Sequence, residues 1–352
     1  MTPARAPESP FELGLMFTHR CPIACRHCGI ESGPDNHAGM DMAFAEHVID
    51  AAAALDRPPA TIVFTGGEPM MYPDRLERLL ERCTDHGLPT RVVTNGFWAR
   101  SLHSGRRLLH RLALAGLDSL NFSADKYHLE FLEAQTFRNA VTLAREVGFP
   151  VVVNTVINET VDPVAHFCAL YGYDQDEVRL FDPDAFLLET VEGCVPDEMV
   201  TKINLSAGRL VALGRAAHYP EEHRLLPLDA FSYAPCREVA GRPVVYPDGS
   251  LQACCCAGGK IAEFTVGNLH ETPLADLIAE MGARSHYRFI NRFGPRALFE
   301  AIQPADRSGA HSSICDVCVS ATRGRSQADI ENNIMSWTIA KIMEIEEDGL
   351  VV

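Results

Sequence analysis

Segments that read as strand and as helix take turns along this chain up to about residue 220. That order confines it to a parallel sheet covered by helices. Residues 11–17 (FELGLMF), 61–65 (TIVFT), 90–94 (TRVVT), 118–124 (DSLNFSA), 150–157 (PVVVNTVI) and, more weakly, 177–181 (EVRLF) have the β-branched and aromatic runs of strands. Helices are expected over 41–55 with Asp41 as N-cap, over 73–86 ended by Gly87, and near 104–115 ended by Gly116. Two more are expected over 128–147, ended by Gly148, and over 205–219. About six such units, with no early Gly-rich dinucleotide fingerprint, suit a partial (β/α) barrel as well as an open doubly wound sheet. In either architecture the chemistry sits at the C-terminal ends of the strands. The loop after residue 17, Gly66-Gly67, Asn95, Ser123 and Asn154 all fall there.

The pattern changes after about residue 225. Turn residues and cysteines dominate from Pro235 to Gly259, and PVVYPDGSLQACC reads as a β-hairpin turning at Pro247-Asp248-Gly249. Helices are expected over 272–281 and 295–302, the second started by Gly294-Pro295. The last stretch, 327–347, is amphipathic, with Ile330, Ile334, Trp337, Ala340 and Ile342 on one face. The expected division is a disordered tail over 1–10, an α/β unit over 11–225, a hairpin-plus-helix unit over 226–325 and a C-terminal helix over 326–352.

A net charge of −16 argues against nucleic acid or an anionic membrane as a partner, because basic patches hold both. No apolar run has the roughly 20 residues of a membrane helix, and MTPARAPESP lacks the apolar core of a signal peptide. The expected location is the cytoplasm. Nine of the twelve cysteines cluster at 21/25/28, at 236 with 254/255/256, and at 315/318. In a chain this long without an export signal, such clustering favours metal or iron–sulfur ligation over disulfides. Cys83, Cys168 and Cys194 stand apart and read as core residues.

Cys21-Pro-Ile-Ala-Cys25-Arg-His-Cys28 has the spacing C-x₃-C-x₂-C. Three thiolates hold three irons of a cubane and leave the fourth open, and an open metal position is where a ligand reacts. A partial zinc site is the other reading of the same residues. Gly66-Gly67-Glu68-Pro69 follows at the end of the second expected strand. With the triplet, this segment resembles the radical S-adenosylmethionine (SAM) superfamily, and His27 falls where that family usually has an aromatic residue. The resemblance implies a partial (β/α)6 TIM-like barrel over 11–225 and a [4Fe–4S] cluster on Cys21, Cys25 and Cys28. It also implies SAM on the open iron, and an electron donor such as flavodoxin or ferredoxin. Electron transfer would then cleave SAM to methionine and a 5′-deoxyadenosyl radical, chemistry that belongs to the cofactor. Gly66, Gly67, Glu68 and Pro69 would bind the methionine amino group through backbone carbonyls, since glycines permit close approach. Ser123 and Asn154 would meet the ribose and carboxylate of SAM, with Asn95 as a further candidate; each also reads as an ordinary polar strand end. Arg179 would meet a carboxylate or form a structural salt bridge. His128, in Asp125-Lys-Tyr-His128, would touch SAM or substrate or serve packing.

The second cysteine set resembles the SPASM extension of the same superfamily, in the shortened form called Twitch. No cysteine follows Cys318; after five intervening residues the next position is Gly324. The resemblance implies a C-terminal β-hairpin plus helix domain with a second, auxiliary [4Fe–4S] cluster on Cys236, Cys254, Cys315 and Cys318. A zinc ribbon is the alternative for these four. Cys255 or Cys256 could replace Cys254, since neighbours in a strand face opposite sides. As spare thiols, Cys255 and Cys256 are candidate hydrogen-atom donors, or small buried hydrophobes.

Three functions remain open at this point. The first is a maturase that abstracts hydrogen from a ribosomally made precursor peptide and forms a crosslink or inverts a stereocentre. The second is a radical dehydrogenase of a small molecule such as an aminocyclitol or sugar alcohol. The third is a non-catalytic iron–sulfur or zinc protein. With about ten residues before the first strand, no N-terminal peptide-recognition domain is expected, so a leader would bind elsewhere or through a partner.

Overall fold

A computed structural model describes residues 11–181, 199, 201–255, 260–303 and 309–347. The barrel half runs β1 (Glu12–Thr18), α1 (Met42–Ala53), β2 (Thr61–Gly66), α2 (Pro73–Asp85), β3 (Thr90–Thr94), α3 (Leu102–Leu114), β4 (Ser119–Ser123), α4 (Ala134–Val147), β5 (Val151–Val156), α5 (Pro163–Tyr171), β6 (Val178–Leu180) and β7 (Ile203–Gly208). The second half adds β8 (Leu226–Pro227), β9 (Val244–Val245), β10 (Ser250–Gln252), β11 (Thr265–Asn268), α6 (Leu274–Ala283), α7 (Ser285–Ile302), β12 (Ala310–His311), α8 (Ile314–Thr322) and α9 (Gln327–Glu347).

Ten of the described strands form one sheet in the order β11-β10-β9-β1-β2-β3-β4-β5-β7-β6. From β9 through β6 the neighbours are parallel; β9-β10 and β10-β11 are antiparallel. Strand alternation sorts the side chains. Leu13, Leu15 and Phe17, Ile62 and Phe64, Leu120 and Phe122, and Val151 and Val153 are fully buried against the helices. Glu12, Gly14 and Met16, Val63 and Thr65, Asn121 and Ser123, and Val152 and Asn154 face a shared interior cavity. Each large aliphatic residue on the helix side contributes about 1.5–3 kcal/mol of burial. This is the expected α/β partial barrel. Asp41 caps α1 through Ala43 N (2.9 Å), and Gly87, Gly116 and Gly148 turn at positive φ after their helices.

Four expectations need correction. Residues 205–219 do not form a helix: Ile203–Gly208 is the strand between β5 and β6. Its Ala/Leu-rich composition suits a helix, but tertiary pairing overrides propensity. Asn204 stitches the strand in, donating to Val151 O (3.0 Å) and Met199 O (2.9 Å). As a result Val178–Leu180, expected as the sixth barrel strand, is pushed to the sheet edge. Helix α4 starts at Ala134, not 128, because Asp125 Oδ1 accepts from Tyr127 N (2.9 Å) and His128 N (3.1 Å) and holds a turn there. Helix α7 begins ten residues before the expected 295, with Gly294 (φ 82°) kinking it rather than starting it. On α9, Ile330 and Ile334 are buried and Trp337 packs on Phe289 (ring centroids 5.3 Å), whereas Ala340 and Ile342 are exposed. Helix α5, capped by Asp162, has no counterpart in the sequence reading. No helix among the described residues is long and apolar enough to cross a membrane.

Candidate active site

The loop after β1 closes on itself before it presents its cysteines. Cys21 N donates to Gly33 O (3.1 Å) and Gly33 N to His19 O (3.3 Å). Two donors point at sulfur: Ser32 N at Cys28 Sγ (3.3 Å) and Asn95 Nδ2 at Cys21 Sγ (3.5 Å). Burial pushes the Cys21 thiol up to about 12 and the Cys25 thiol further. Such thiols stay protonated until a metal displaces the proton. Two buried thiols and a half-buried third, Cys28, on one closed loop with donors aimed at sulfur fit an iron–sulfur cluster.

Arg215 straps this loop from the far side of the barrel. Its guanidinium donates to Cys25 O (2.7 Å) and Ser32 O (2.6 Å), and its backbone N to Cys28 O (3.0 Å). The turn that delivers it needs Gly214 at φ 53°, where a Cβ would lie 2.3 Å from Gly29 O. The sequence carries no local sign of this residue, since the contact spans 190 positions.

Gly66 and Gly67 end β2 against the same segment. A Cβ on either would lie 2.1 Å from a carbonyl, Thr18 O or Arg20 O. Both line the cavity. Glu68 and Pro69 do not: both are buried. Glu68 instead ties β2 to β3, accepting from Met70 N (3.1 Å), Thr94 Oγ1 (2.9 Å) and Asn95 N (2.8 Å). Burial lifts its carboxyl to about 7 against those three bonds.

The cavity holds about 620 Å³ and runs from Cys21, Cys25 and Cys28 to Cys255 and Cys315. Ser123 and Asn154 line it as neighbours across β4 and β5. Asn95 lines it too, but its amide is spent on Cys21 Sγ and on Phe97 N (3.0 Å). Arg179, expected to meet a carboxylate or to form a structural salt bridge, stands on edge strand β6, donates to Asn204 Oδ1 (2.7 Å) and is not among the described residues that line the cavity.

His27 stacks on Tyr127 (4.7 Å) and turns Nε2 toward Asp125 Oδ2 (3.3 Å). Burial lowers its pKa to about 4, so the ring is neutral at neutral pH. A carboxylate opposite Nε2 favours the proton there and leaves Nδ1 as an acceptor. Among the described residues Nδ1 is buried without a hydrogen-bond partner, which fits a ligand donor beside the cluster loop. Asp125 also takes His128 Nδ1 (2.8 Å). Burial raises the Asp125 carboxyl, but His128 and His27 outweigh it and hold it below the usual carboxylate range. The three ligand atoms lie within 4.8 Å of one another, a closeness these pairings account for without an ion.

The second cysteine set gathers where the hairpin meets α8. Cys315 and Cys318 stand one turn apart on α8. Burial pushes the Cys318 thiol well up, and Cys236, Cys254 and Cys315 each add to it, so the four act on one another. Four sulfurs gathered in one place fit a closed cluster site. Cys255 turns the other way and donates Sγ–H to Glu238 Oε2 (3.0 Å). Cys256 and Cys194 lie outside the described residues. Cys83 and Cys168 are buried core residues, as expected.

A second missed group is a chain of charges on the cavity wall. Arg91 Nη1 meets Glu12 Oε1 (2.6 Å), Arg242 Nε meets Glu12 Oε2 (3.2 Å), and Arg242 Nη1 meets Glu238 Oε1. A charged residue within an otherwise apolar strand, as in FELGLMF and TRVVT, was the available signal.

Comparison with known proteins follows this geometry. Residues 15–170 match the family model of the radical SAM superfamily. The putative peptide biosynthesis protein YydG of Bacillus subtilis is 25% identical over 134 residues, covering 38% of this chain and 42% of that protein. A PqqA peptide cyclase of Granulibacter bethesdensis is 31% identical over 163 residues, covering 43% of this chain and 41% of the cyclase. The chain thus spans about two fifths of the length of these curated relatives. The solved structure of native anSMEcpe with bound AdoMet and Cp18Cys peptide aligns over 97% of this chain and 99% of that one, at a TM-score of 0.48 and 12% identity. The cysteine loop, the Gly66-Gly67 approach, the end of β1 and strands β2 to β5 lie within the matched segment, and residues 15–170 are a radical SAM domain.

Proposed function

We propose that this chain is a radical SAM peptide maturase that abstracts a hydrogen atom from a precursor peptide. One observation carries the reading: a single cavity is lined at one end by Cys21, Cys25 and Cys28 and at the other by Cys255 and Cys315. A substrate in it lies between the two cysteine sets. The peptide-directed names of the two relatives support a peptide over a small molecule.

A [4Fe–4S] cluster and SAM supply the 5′-deoxyadenosyl radical when bound. The chain's own residues hold and orient them. Cys21, Cys25 and Cys28 are the ligands of the first cluster. Gly66 and Gly67 offer backbone acceptors to the methionine amino group, Ser123 and Asn154 meet its carboxylate and the ribose, and His27 Nδ1 accepts from a ligand N–H or O–H. Cys236, Cys254, Cys315 and Cys318 hold a second cluster within the unit over 226–325. Cys255 is the hydrogen-atom donor if the product is an inverted residue. An electron donor such as flavodoxin or ferredoxin supplies the electrons.

The test is anaerobic reconstitution with dithionite, SAM and the short peptide encoded beside the gene, in D₂O. Epimerisation adds one mass unit at one residue, and crosslinking or dehydrogenation removes two. C255A is expected to cleave SAM yet give no inverted product. Formation of 5′-deoxyadenosine with no change in any peptide would turn the reading to small-molecule oxidation. No 5′-deoxyadenosine at all would return the chain to a non-catalytic metal protein.

A further inference from the structure

The Cys255 side chain is tied to the barrel by the charge chain on the cavity wall, and we propose that Glu238 is the residue that positions its thiol for hydrogen-atom donation. The proposal rests on the hydrogen-donor role given to Cys255 above. A cysteine side chain has three staggered χ1 wells, and a single well-placed acceptor selects among them. Glu238 Oε2 accepts from Cys255 Sγ at 3.0 Å. Its other oxygen is held by Arg242, whose Nε reaches Glu12 on β1 (3.2 Å). Glu12 is in turn held by Arg91 on β3 (2.6 Å). All five residues line the one cavity. The two ends of the chain differ in kind. Glu12 and Arg91 sit on paired, parallel barrel strands, whereas Cys255 sits in the irregular stretch after β10. A thiol on such a stretch gains a fixed direction only through its partner, and Glu238 transfers the rigidity of the barrel to it.

The step it serves balances as follows. The Cys255 S–H bond breaks and a C–H bond forms on the substrate carbon radical, leaving a thiyl on Sγ. One electron from the low-potential reductant and one proton, delivered through the adjacent Glu238 carboxyl, restore the thiol. Arg242 stays paired with Glu12 throughout and keeps Glu238 in reach of Sγ.

The experiment runs the cluster-loaded full chain in D₂O with dithionite, SAM and the short peptide encoded beside the gene. It reads, over a single turnover, the deuterium at the altered residue per 5′-deoxyadenosine formed. The C–H bond is opened from the first-cluster end, and the deuterium that closes it comes from an S–D bond at the other end. C255A sets the baseline. E238A is expected to form 5′-deoxyadenosine yet lower the deuterated share of the peptide about tenfold toward that baseline, the population change that loss of one charge-assisted hydrogen bond brings. E238Q, which keeps the shape and an acceptor oxygen, is expected to retain most of it. In the same loaded chain, peptide mapping should show Cys255 of E238A alkylated by iodoacetamide several-fold faster than wild type. If C255A loses the deuterium and E238A keeps it, Glu238 has no positioning role, although Cys255 still donates. If 5′-deoxyadenosine forms and wild type carries no more deuterium than C255A, the donor role of Cys255 falls, and this proposal with it. If no 5′-deoxyadenosine forms, the proposed function itself falls.

Discussion

Replacing Arg215 with alanine is expected to cost the chain its first cluster while leaving the barrel folded. Its guanidinium makes two hydrogen bonds to the cysteine loop, at 2.7 Å to Cys25 O and 2.6 Å to Ser32 O. A hydrogen bond from a charged group contributes about 1.5–3 kcal/mol, so losing both costs at most about 3–6 kcal/mol if the loop stays still. The group is half-buried and water replaces part of the loss, which leaves about 2–3 kcal/mol, or about 30-fold to 160-fold in loop order. The side chain also places a positive charge near Cys25, opposing the burial that pushes its thiol up. Both effects act on cluster assembly, and neither acts on the sheet. The assay is iron and sulfide content after anaerobic reconstitution and desalting, in a C315A/C318A background that removes the second set. Far-UV circular dichroism serves as the check on folding. R215K, with one compact donor in place of a planar fork, should recover only part of the iron. Full iron retention and undiminished SAM cleavage in R215A would show that the loop holds itself and refute the reasoning.

Three further perturbations follow from the same geometry. G67A puts a Cβ 2.1 Å from Arg20 O; it should push the end of β2 off the cysteine loop and lower first-cluster iron, measured in the same assay. E68Q sets an amide N–H against one of three donors and should destabilise the fold by about 2 kcal/mol in urea titrations. Because burial lifts the Glu68 carboxyl from 4.5 to about 7, the folded chain keeps a proton that the unfolded chain has released between those values, so stability falls as pH rises through that window. E68Q should remove that part of the slope, the wild-type-minus-variant difference separating it from the opposite trend of His27. W337A strips the ring packed on Phe289 and Phe293, and should loosen α9 by about 2–3 kcal/mol, read as faster limited proteolysis within 327–347.

What was legible in the sequence is what local physics decides. TIVFT and TRVVT are strands because β-branched residues pack on a pleated surface. Asp41, Gly87, Gly116 and Gly148 bound helices for reasons contained within a few residues. The cysteine triplet and Gly66-Gly67 were legible because a thiol and a missing Cβ declare their chemistry at once. Residues 203–208 were not, because they open into the Ala/Leu-rich run 205–219 and become a strand only when β5 offers a partner. Arg179 moves with them: once β7 takes the place beside β5, its guanidinium meets Asn204 at the sheet edge. Glu68 shows a subtler failure. Its position in the motif was visible, but its work as a buried joint to Thr94 and Asn95 depends on a neighbour 26 and 27 positions away.

The two cysteine sets share a cavity because of what β1 does on each of its edges. On one side it pairs with β2, whose end brings Gly66 and Gly67 against Thr18 and Arg20. On the other side it pairs with β9, with Gly14 opposite Val244 and Leu15 opposite Val245. That approach is close: a Cβ at Gly14 would lie 3.0 Å from a Val244 methyl, so glycine here admits the hairpin. Glu12 N donates to Gly241 O and Gly14 N to Pro243 O, which fixes the strand that leads through β10 to Cys254 and Cys255. The same strand runs on into Cys21. The hairpin is therefore an extension of the barrel sheet, and the separation between the two cysteine sets is set by strand register rather than by a linker. Register in a sheet with a buried face resists slippage, since a one-residue slip would turn Glu12 into the core and Leu13 into the cavity. A reaction that needs a radical at one end of a cavity and a thiol at the other depends on that distance holding, and β1 is the element that holds it.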